Sequence, residues 1–215
     1  MKMDKFERGN ITLAIETAIM GGSISLVQNG KEIDSWIGGS DVSRSEDLLI
    51  SISELLIKNS FEISQLGSIG VSIGPGSYTG IRVGIATALG LKNSLHVPCA
   101  GIPVLSAINN FFPVTSGIAA AAIPIGRGDI CLQVFGEGQT GEFIIDREEK
   151  MPGILSTRAI SRTFLHDRLF SLGLELDTGI EIINAGDVMS KYIGVVAEKA
   201  QGSVEIMPIY VRDFV

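Results

Sequence analysis

The chain opens in short apolar runs, and the next two alternate with polar positions at the period of a half-buried strand. Ile11 to Glu16 is the first such run. Ser23 to Gln28 sets Ile24 and Leu26 against Ser23 and Ser25, and Lys31 to Ile37 alternates Ile33 and Ser35 with charged positions. Asn29-Gly30 between them is a two-residue hairpin signal, because both residues tolerate positive φ. The period then changes. Leu48, Leu49, Ile52, Leu55 and Leu56 fall on one helical face, behind a Ser43–Glu46 pair spaced as a capping box. Burying each of these side chains contributes roughly 1.5–3 kcal/mol before the entropy of ordering is subtracted. Glu54 and Lys58, four apart, pair weakly on the exposed side.

Alternation of strand and helix follows. Ile69 to Ile73 reads as a strand, Gly74-Pro75-Gly76-Ser77 as a turn and Thr79 to Leu95 as a helix. Val97 to Ala100 is a short strand and Val104 to Asn110 a helix. The order β-β-β-α-β-α-β-α predicts a mixed sheet with helices packed on it. Beyond Phe112-Pro113 the pattern predicts strands at Ile118–Ile123, Ile130–Phe135, Glu142–Asp146 and Ile180–Asn184. Helices are expected at Thr157–Leu172 and Val188–Ala200. The expected organisation is a lobe of residues 10–111 and a reduced, divergent lobe of residues 112–215.

Composition narrows the classes. Hydrophobic residues are 45 % and charged residues 19 %, a globular balance for 215 residues. The net charge is −7. Affinity for nucleic acid comes mainly from phosphate neutralisation, and no basic stripe is present. The isolated chain is therefore expected to hold RNA weakly. Cys99 and Cys131 lie far apart in apolar segments, which suits two buried thiols and a reducing cytoplasm. No apolar stretch reaches the roughly 18 residues that a membrane span needs, and residues 1–10 do not read as a secretory signal.

Three segments resemble one family. Ile11-Thr12-Leu13-Ala14-Ile15-Glu16-Thr17 followed by Gly22-Ser23-Ile24-Ser25-Leu26 is similar to an opening "LAIETS…GSVAL". Gly74-Pro75-Gly76-Ser77-Tyr78-Thr79-Gly80-Ile81-Arg82-Val83-Gly84 resembles "GPGSFTGLRIG", the string carried by the TsaB (YeaZ) family. Pro208-Ile209-Tyr210-Val211-Arg212 is similar to a "P-x-Y-x-R" ending. The resemblance implies an α/β fold of the actin-like ATPase (ASKHA) type, with two lobes that each hold a mixed sheet flanked by helices. It implies a non-catalytic subunit that binds a TsaD-like catalytic subunit, with a TsaE-like ATPase also in the complex. That complex transfers threonylcarbamoyl from its AMP adduct to a tRNA adenosine beside the anticodon. It implies tRNA contact only through the complex and a homodimer when the partner is absent. The chain departs from the family at Arg44 and Ile50, where "HSE-x-LLP" has His and Pro. It departs again at Pro124 to Cys131, where "DARRGEVY" has lost its leading acid. A divergent lineage and a paralogue with another partner both remain open.

The candidate residues follow. The first two long helices are expected to dock on the partner through Leu48, Leu49, Ile52 and Leu56, and through Gly84, Ala88 and Leu91. The small residues Gly80, Gly84 and Ala88 let another helix approach closely. Glu16, Gly76, Ser77 and Thr79 are candidate nucleotide contacts, since a glycine loop before a helix N-terminus presents N–H groups to phosphate. The competing reading of that loop is a tight strand-to-helix turn with Ser77 or Thr79 as cap. No Gly-Lys-Ser/Thr follows, so it is not a P-loop. His96 and His166 lack metal-ligand spacing and are expected at surfaces or turns, so no metal and no cofactor is expected. Gly70-Val71-Ser72-Ile73-Gly74 matches G-x-S-x-G in letters, but Ser72 falls inside a strand rather than on an elbow. The rival function is an actin-fold ATPase or phosphotransferase, with Ala185-Gly186-Asp187 as the second lobe's nucleotide loop.

Overall fold

The computed structural model describes residues 10–39, 47–112, 117–136, 141–173, 179–200 and 204–211. β1 (Ile11–Glu16), β2 (Ser23–Gln28) and β3 (Lys31–Ile37) form a meander. α1 (Leu48–Lys58), β4 (Leu66–Ser72), α2 (Tyr78–Leu95), β5 (Cys99–Ile102) and α3 (Val104–Phe111) follow. The same order then recurs. β6 (Ile118–Gly126), β7 (Asp129–Phe135) and β8 (Phe143–Arg147) are a second meander. α4 (Met151–Thr157), β9 (Ile160–His166), α5 (Asp167–Phe170), β10 (Glu181–Gly186) and α6 (Ser190–Lys199) complete it.

The two sheets have matching topology. The first runs β3-β2-β1-β4-β5, and the second, read the same way, runs β8-β7-β6-β9-β10. In each, the first strand pairs antiparallel with the second and parallel with the fourth. Turn chemistry sets both hairpins. Asn29 and Gly30 have φ of 55° and 72°, and Arg127 and Gly128 have 59° and 76°, the positive values that a two-residue turn requires. The carboxylate of Glu198 on α6 accepts from the N–H of Asn29 at 2.8 Å and of Gly30 at 2.5 Å.

α1 and α2 cover one face of the first sheet. Their core joins Leu48, Ile52, Leu55, Leu56 and Ala88 to Leu13, Ile15, Ile69 and Val71. α3 and α6 lie between the two sheets, where Val104, Ile108, Tyr192 and Ile193 meet Ala14, Ala119, Ala121 and Phe164. α4 covers the far face of the second sheet through Met151 and Leu155.

One expectation changes. The helix expected at Thr157–Leu172 is β9, flanked by α4 and α5. Ile160, Phe164, Leu165 and Leu169 have helix-like spacing, but β9 lies between β6 and β10, and its Thr163, Phe164 and Leu165 are at most 2 % exposed. A strand covered on both faces has no alternation to read. Residues 112–215 also make contact with the first sheet. α6 packs on β1, β2, β4 and β5 of the first sheet, and residues 204–211 return to it as well. The Ser43–Glu46 capping box lies outside the described residues.

α6 reaches the sheet by close approach of small residues. A Cβ on Gly70 of β4 would stand 2.6 Å from the Ala197 Cβ, and one on Gly194 of α6 3.0 Å from the Ala14 Cβ. The buried Ser25 and Ser190 hydroxyls bond at 2.7 Å, and the Ser190 N–H donates to the Ser23 hydroxyl at 3.0 Å. Gly194→Val should push α6 off the first sheet and destabilise the chain by roughly 1–3 kcal/mol or more. Urea denaturation measures it, and an unchanged midpoint would show that the two sheets do not depend on this helix.

Candidate functional site

The segments that carry the family resemblance meet at the start of α2. The chain leaves β1 at Glu16, whose side chain is 1 % exposed. Its carboxylate accepts from the N–H of Ala18 at 2.6 Å and of Ile19 at 3.0 Å, closing the turn after β1. Thr17 and Ala18 then pass against the loop before α2. The Ser77 N–H donates to the Ala18 carbonyl at 2.8 Å, and the Thr17 hydroxyl donates to the Gly80 carbonyl at 2.7 Å.

Glycine is required along this seam. A Cβ on Gly76 would stand 2.7 Å from both the Cβ and the carbonyl oxygen of Ala18, and φ at Gly76 is 153°. A Cβ on Gly80 would collide with the Thr17 carbonyl oxygen, and one on Gly84 with the Thr17 hydroxyl. Ser77 caps the helix, its hydroxyl accepting from the Gly80 N–H at 3.3 Å. Glu16, Gly76 and Ser77 thus come together, but around the chain's own Ala18, and Thr79 is exposed beside them. The geometry has the features of a tight strand-to-helix turn.

The outer and inner faces of α1 and α2 differ sharply. Leu48, Ile52 and Leu56 are 2 %, 2 % and 3 % exposed, and Ala88 is fully buried. Gly84 is buried against Thr17 and Val71, and Leu91 is half-buried on the same core. The expectation that Leu48, Ile52, Leu56, Gly84 and Ala88 contact a partner is therefore corrected. These residues hold the helices on their own sheet, and the small face of α2 admits Thr17 rather than a foreign helix. Of the expected contact residues on α1, Leu49 faces outward, at 56 %, together with Ile50 at 56 % and Ile57 at 71 %. On α2 the exposed residues are Thr79, Arg82, Ala86, Gly90, Asn93 and Ser94, and a Cβ at Gly90 would meet nothing within 4 Å. The sequence carried a signal for this second face, because α1 holds more apolar residues than one stripe can bury.

Ser72 is a buried strand residue whose hydroxyl accepts from the Gly74 N–H at 3.3 Å. His96 is exposed and ends α2 in the left-handed conformation, with φ of 55°. His166, expected at a surface or turn, is instead buried at the end of β9, and its Nδ1 accepts from the Arg168 N–H at 3.2 Å. Burial pushes its imidazole below the usual value, against the opposing pull of Asp187 and Asp167. Burial raises the thiol of Cys99 to about 11, which makes it an inert core residue. No group of three or more His, Cys, Asp or Glu is arranged for a metal among the described residues.

Residues 40–115 match the family model described as TsaD, a tRNA N6-adenosine threonylcarbamoyltransferase. The chain is 33 % identical over 97 residues to the tRNA threonylcarbamoyladenosine biosynthesis protein TsaB of Buchnera aphidicola subsp. Schizaphis graminum, a match covering 45 % of this chain and 46 % of that protein. It is 32 % identical over 108 residues to the tRNA N6-adenosine threonylcarbamoyltransferase of Geotalea daltonii, covering 43 % and 32 %. The chain thus spans less than half the length of these curated relatives. Among solved structures, a Pseudomonas aeruginosa protein with similarity to peptidase YeaZ superposes with a TM-score of 0.67 at 19 % identity, over 94 % of this chain and 100 % of that one. At that identity the likeness shows the fold alone.

Ala88→Trp should destabilise the monomer by roughly 1–3 kcal/mol, the scale of overpacking a filled site. A thermal melt with sedimentation checks it. A variant with an unchanged melting temperature would return Ala88 to the surface.

Proposed function

We propose, from the premise that this chain is a relative of the TsaB (YeaZ) family with the actin-like ATPase fold, that it is a non-catalytic subunit docking on a TsaD-like catalytic subunit. The observation that carries the reading is the outer face of α1. Leu49, Ile50 and Ile57 are exposed on one short helix, and α2, which packs on the same core, carries the small outward residues Ala86 and Gly90. Large exposed apolar residues gathered on one face mark an interaction surface, and small residues beside them let a second helix pair approach. Through this face the chain supports threonylcarbamoyl transfer to a tRNA adenosine beside the anticodon, in the cytoplasm, with a TsaE-like ATPase in the same assembly. A net charge of −7 leaves the RNA to the other subunits. Without a partner, the same face pairs with its own copy in a symmetric dimer.

Ile57→Glu should weaken binding to a TsaD-like subunit by roughly tenfold or more, about 1.4 kcal/mol, and leave the melting temperature near that of the unaltered chain. Titration calorimetry with the purified subunits measures this. Unchanged affinity would move the interface off α1.

A second reading, an independent actin-fold ATPase or phosphotransferase, draws on the match of residues 40–115 to the model of the transferase itself. Two features count against it. The Glu16 carboxylate holds the Ala18 and Ile19 amides, and the glycines at 76 and 80 are occupied by the chain's own backbone. The purified chain is expected to turn over ATP at background. Steady turnover abolished by Glu16→Ala would favour the enzyme.

A further inference from the structure

Residues 204–211 lie across the first sheet without regular secondary structure of their own. Val204 forms a parallel bridge to Ala100 on the edge strand β5. The Ile209 N–H donates to the Ile73 carbonyl at 2.7 Å. The sheet side of this track is cut for a backbone. A Cβ on Gly101 would lie 2.8 Å from the Glu205 carbonyl oxygen and 3.0 Å from the Ile206 Cα, and one on Gly74 2.6 Å from the Ile209 carbonyl oxygen. Ile206 packs on the core under α1 and α2. Outward, the segment is open, with Met207 at 60 % and Tyr210 at 41 % exposed.

The segment ends on α2. The Tyr210 ring lies 4.8 Å from that of Tyr78, the first residue of the helix, at an interplanar angle of 47°. The Arg82 guanidinium carbon lies 3.8 Å from the centroid of the same Tyr78 ring. A continuous set of contacts thus runs from a lightly held segment, through Tyr78, to Arg82 on the outward side of α2, four residues before Ala86.

We propose that residues 204–211 form a strap that orders the first turns of α2 and positions Arg82, so that affinity for the docked partner depends on whether the strap is seated. The affinity part rests on the docking reading above, and the ordering part does not. Among the described residues the strap is held by the Val204 bridge, the Ile209 bond, the Tyr210 ring pair and the packing of the partly buried Ile206 and Val211, fewer ties than a core strand has, which makes it a segment where regulation can act.

The test compares Tyr210→Ala, Tyr210→Phe and Ile209→Pro in the full chain. The last removes the donor to Ile73 and keeps the Tyr210 side chain. Hydrogen exchange is read at the amides of residues 81–85, and affinity is read against a TsaD-like subunit. Tyr210→Ala and Ile209→Pro should each raise exchange at residues 81–85 by about tenfold, the scale of one lost aromatic pair or hydrogen bond. Exchange in α1 should not change. Partner affinity should fall by a similar factor, and Tyr210→Phe should match the unaltered chain in both. Unchanged exchange at 81–85 in both releasing variants overturns the strap. Raised exchange with unchanged affinity overturns the coupling. An unaltered chain that fails to bind the TsaD-like subunit contradicts the docking reading, while the exchange measurement still decides the strap. A thermal melt on each variant separates local release from global unfolding.

Discussion

The packing of Thr17 and Ala18 against the start of α2 is the constraint on which the rest of the first sheet depends. It fixes the helix that follows β4 to the turn that follows β1, using two hydrogen bonds, two glycines that leave room for the backbone of Thr17 and Ala18, and a third, Gly84, that leaves room for the Thr17 hydroxyl. Once α2 is seated there, Ala88 and Leu91 fall on the core shared with α1, and the opposite side of both helices is left to solvent. The choice of which face packs on the sheet is made at this seam. The glycine loop, read alone, has the look of a phosphate cradle. Its neighbours give it a different occupant.

The second organising feature is the repeat of one topology. Two sheets with the same strand order enclose α3 and α6, and the close approach of Gly70 to Ala197 and of Gly194 to Ala14 brings α6 down on the first sheet. The strap follows α6 along the chain and reaches back over β4 and β5. Residues 204–211 therefore pack with the first sheet and touch the start of α2.

How much of this was legible in the sequence depended on how local its cause was. The hairpin at Asn29-Gly30 was readable because positive φ at two adjacent positions is a property of those residues. The leucine-striped helix α1 and the turn before α2 were readable for similar reasons. β9 was not, because its identity as a strand comes from β6 and β10 on either side, and its apolar spacing imitates a helix. The inward face of α2 was misassigned because the group it admits, Thr17, lies 63 positions away from Gly80. Small residues at helical spacing announce a close approach without saying to what. Of the exposed apolar residues of α1, Leu49 was named from the sequence and Ile50 and Ile57 were not picked out as exposed, and the burial of Ile52 and Leu56 needed the sheet.

The central claim is that the inner faces of α1 and α2 serve the fold and the outer faces serve a partner. Hydroxyl-radical footprinting of side chains, with and without a TsaD-like subunit, tests it most directly. The account predicts that Leu49, Ile50 and Ile57 are oxidised in the lone chain under conditions that keep it monomeric and become protected in the complex, while Ile52 and Leu56 stay unlabelled throughout. Labelling of Ile52 or Leu56 in the lone chain, or protection that falls on β8 or β10 and leaves Ile57 reactive, would contradict it.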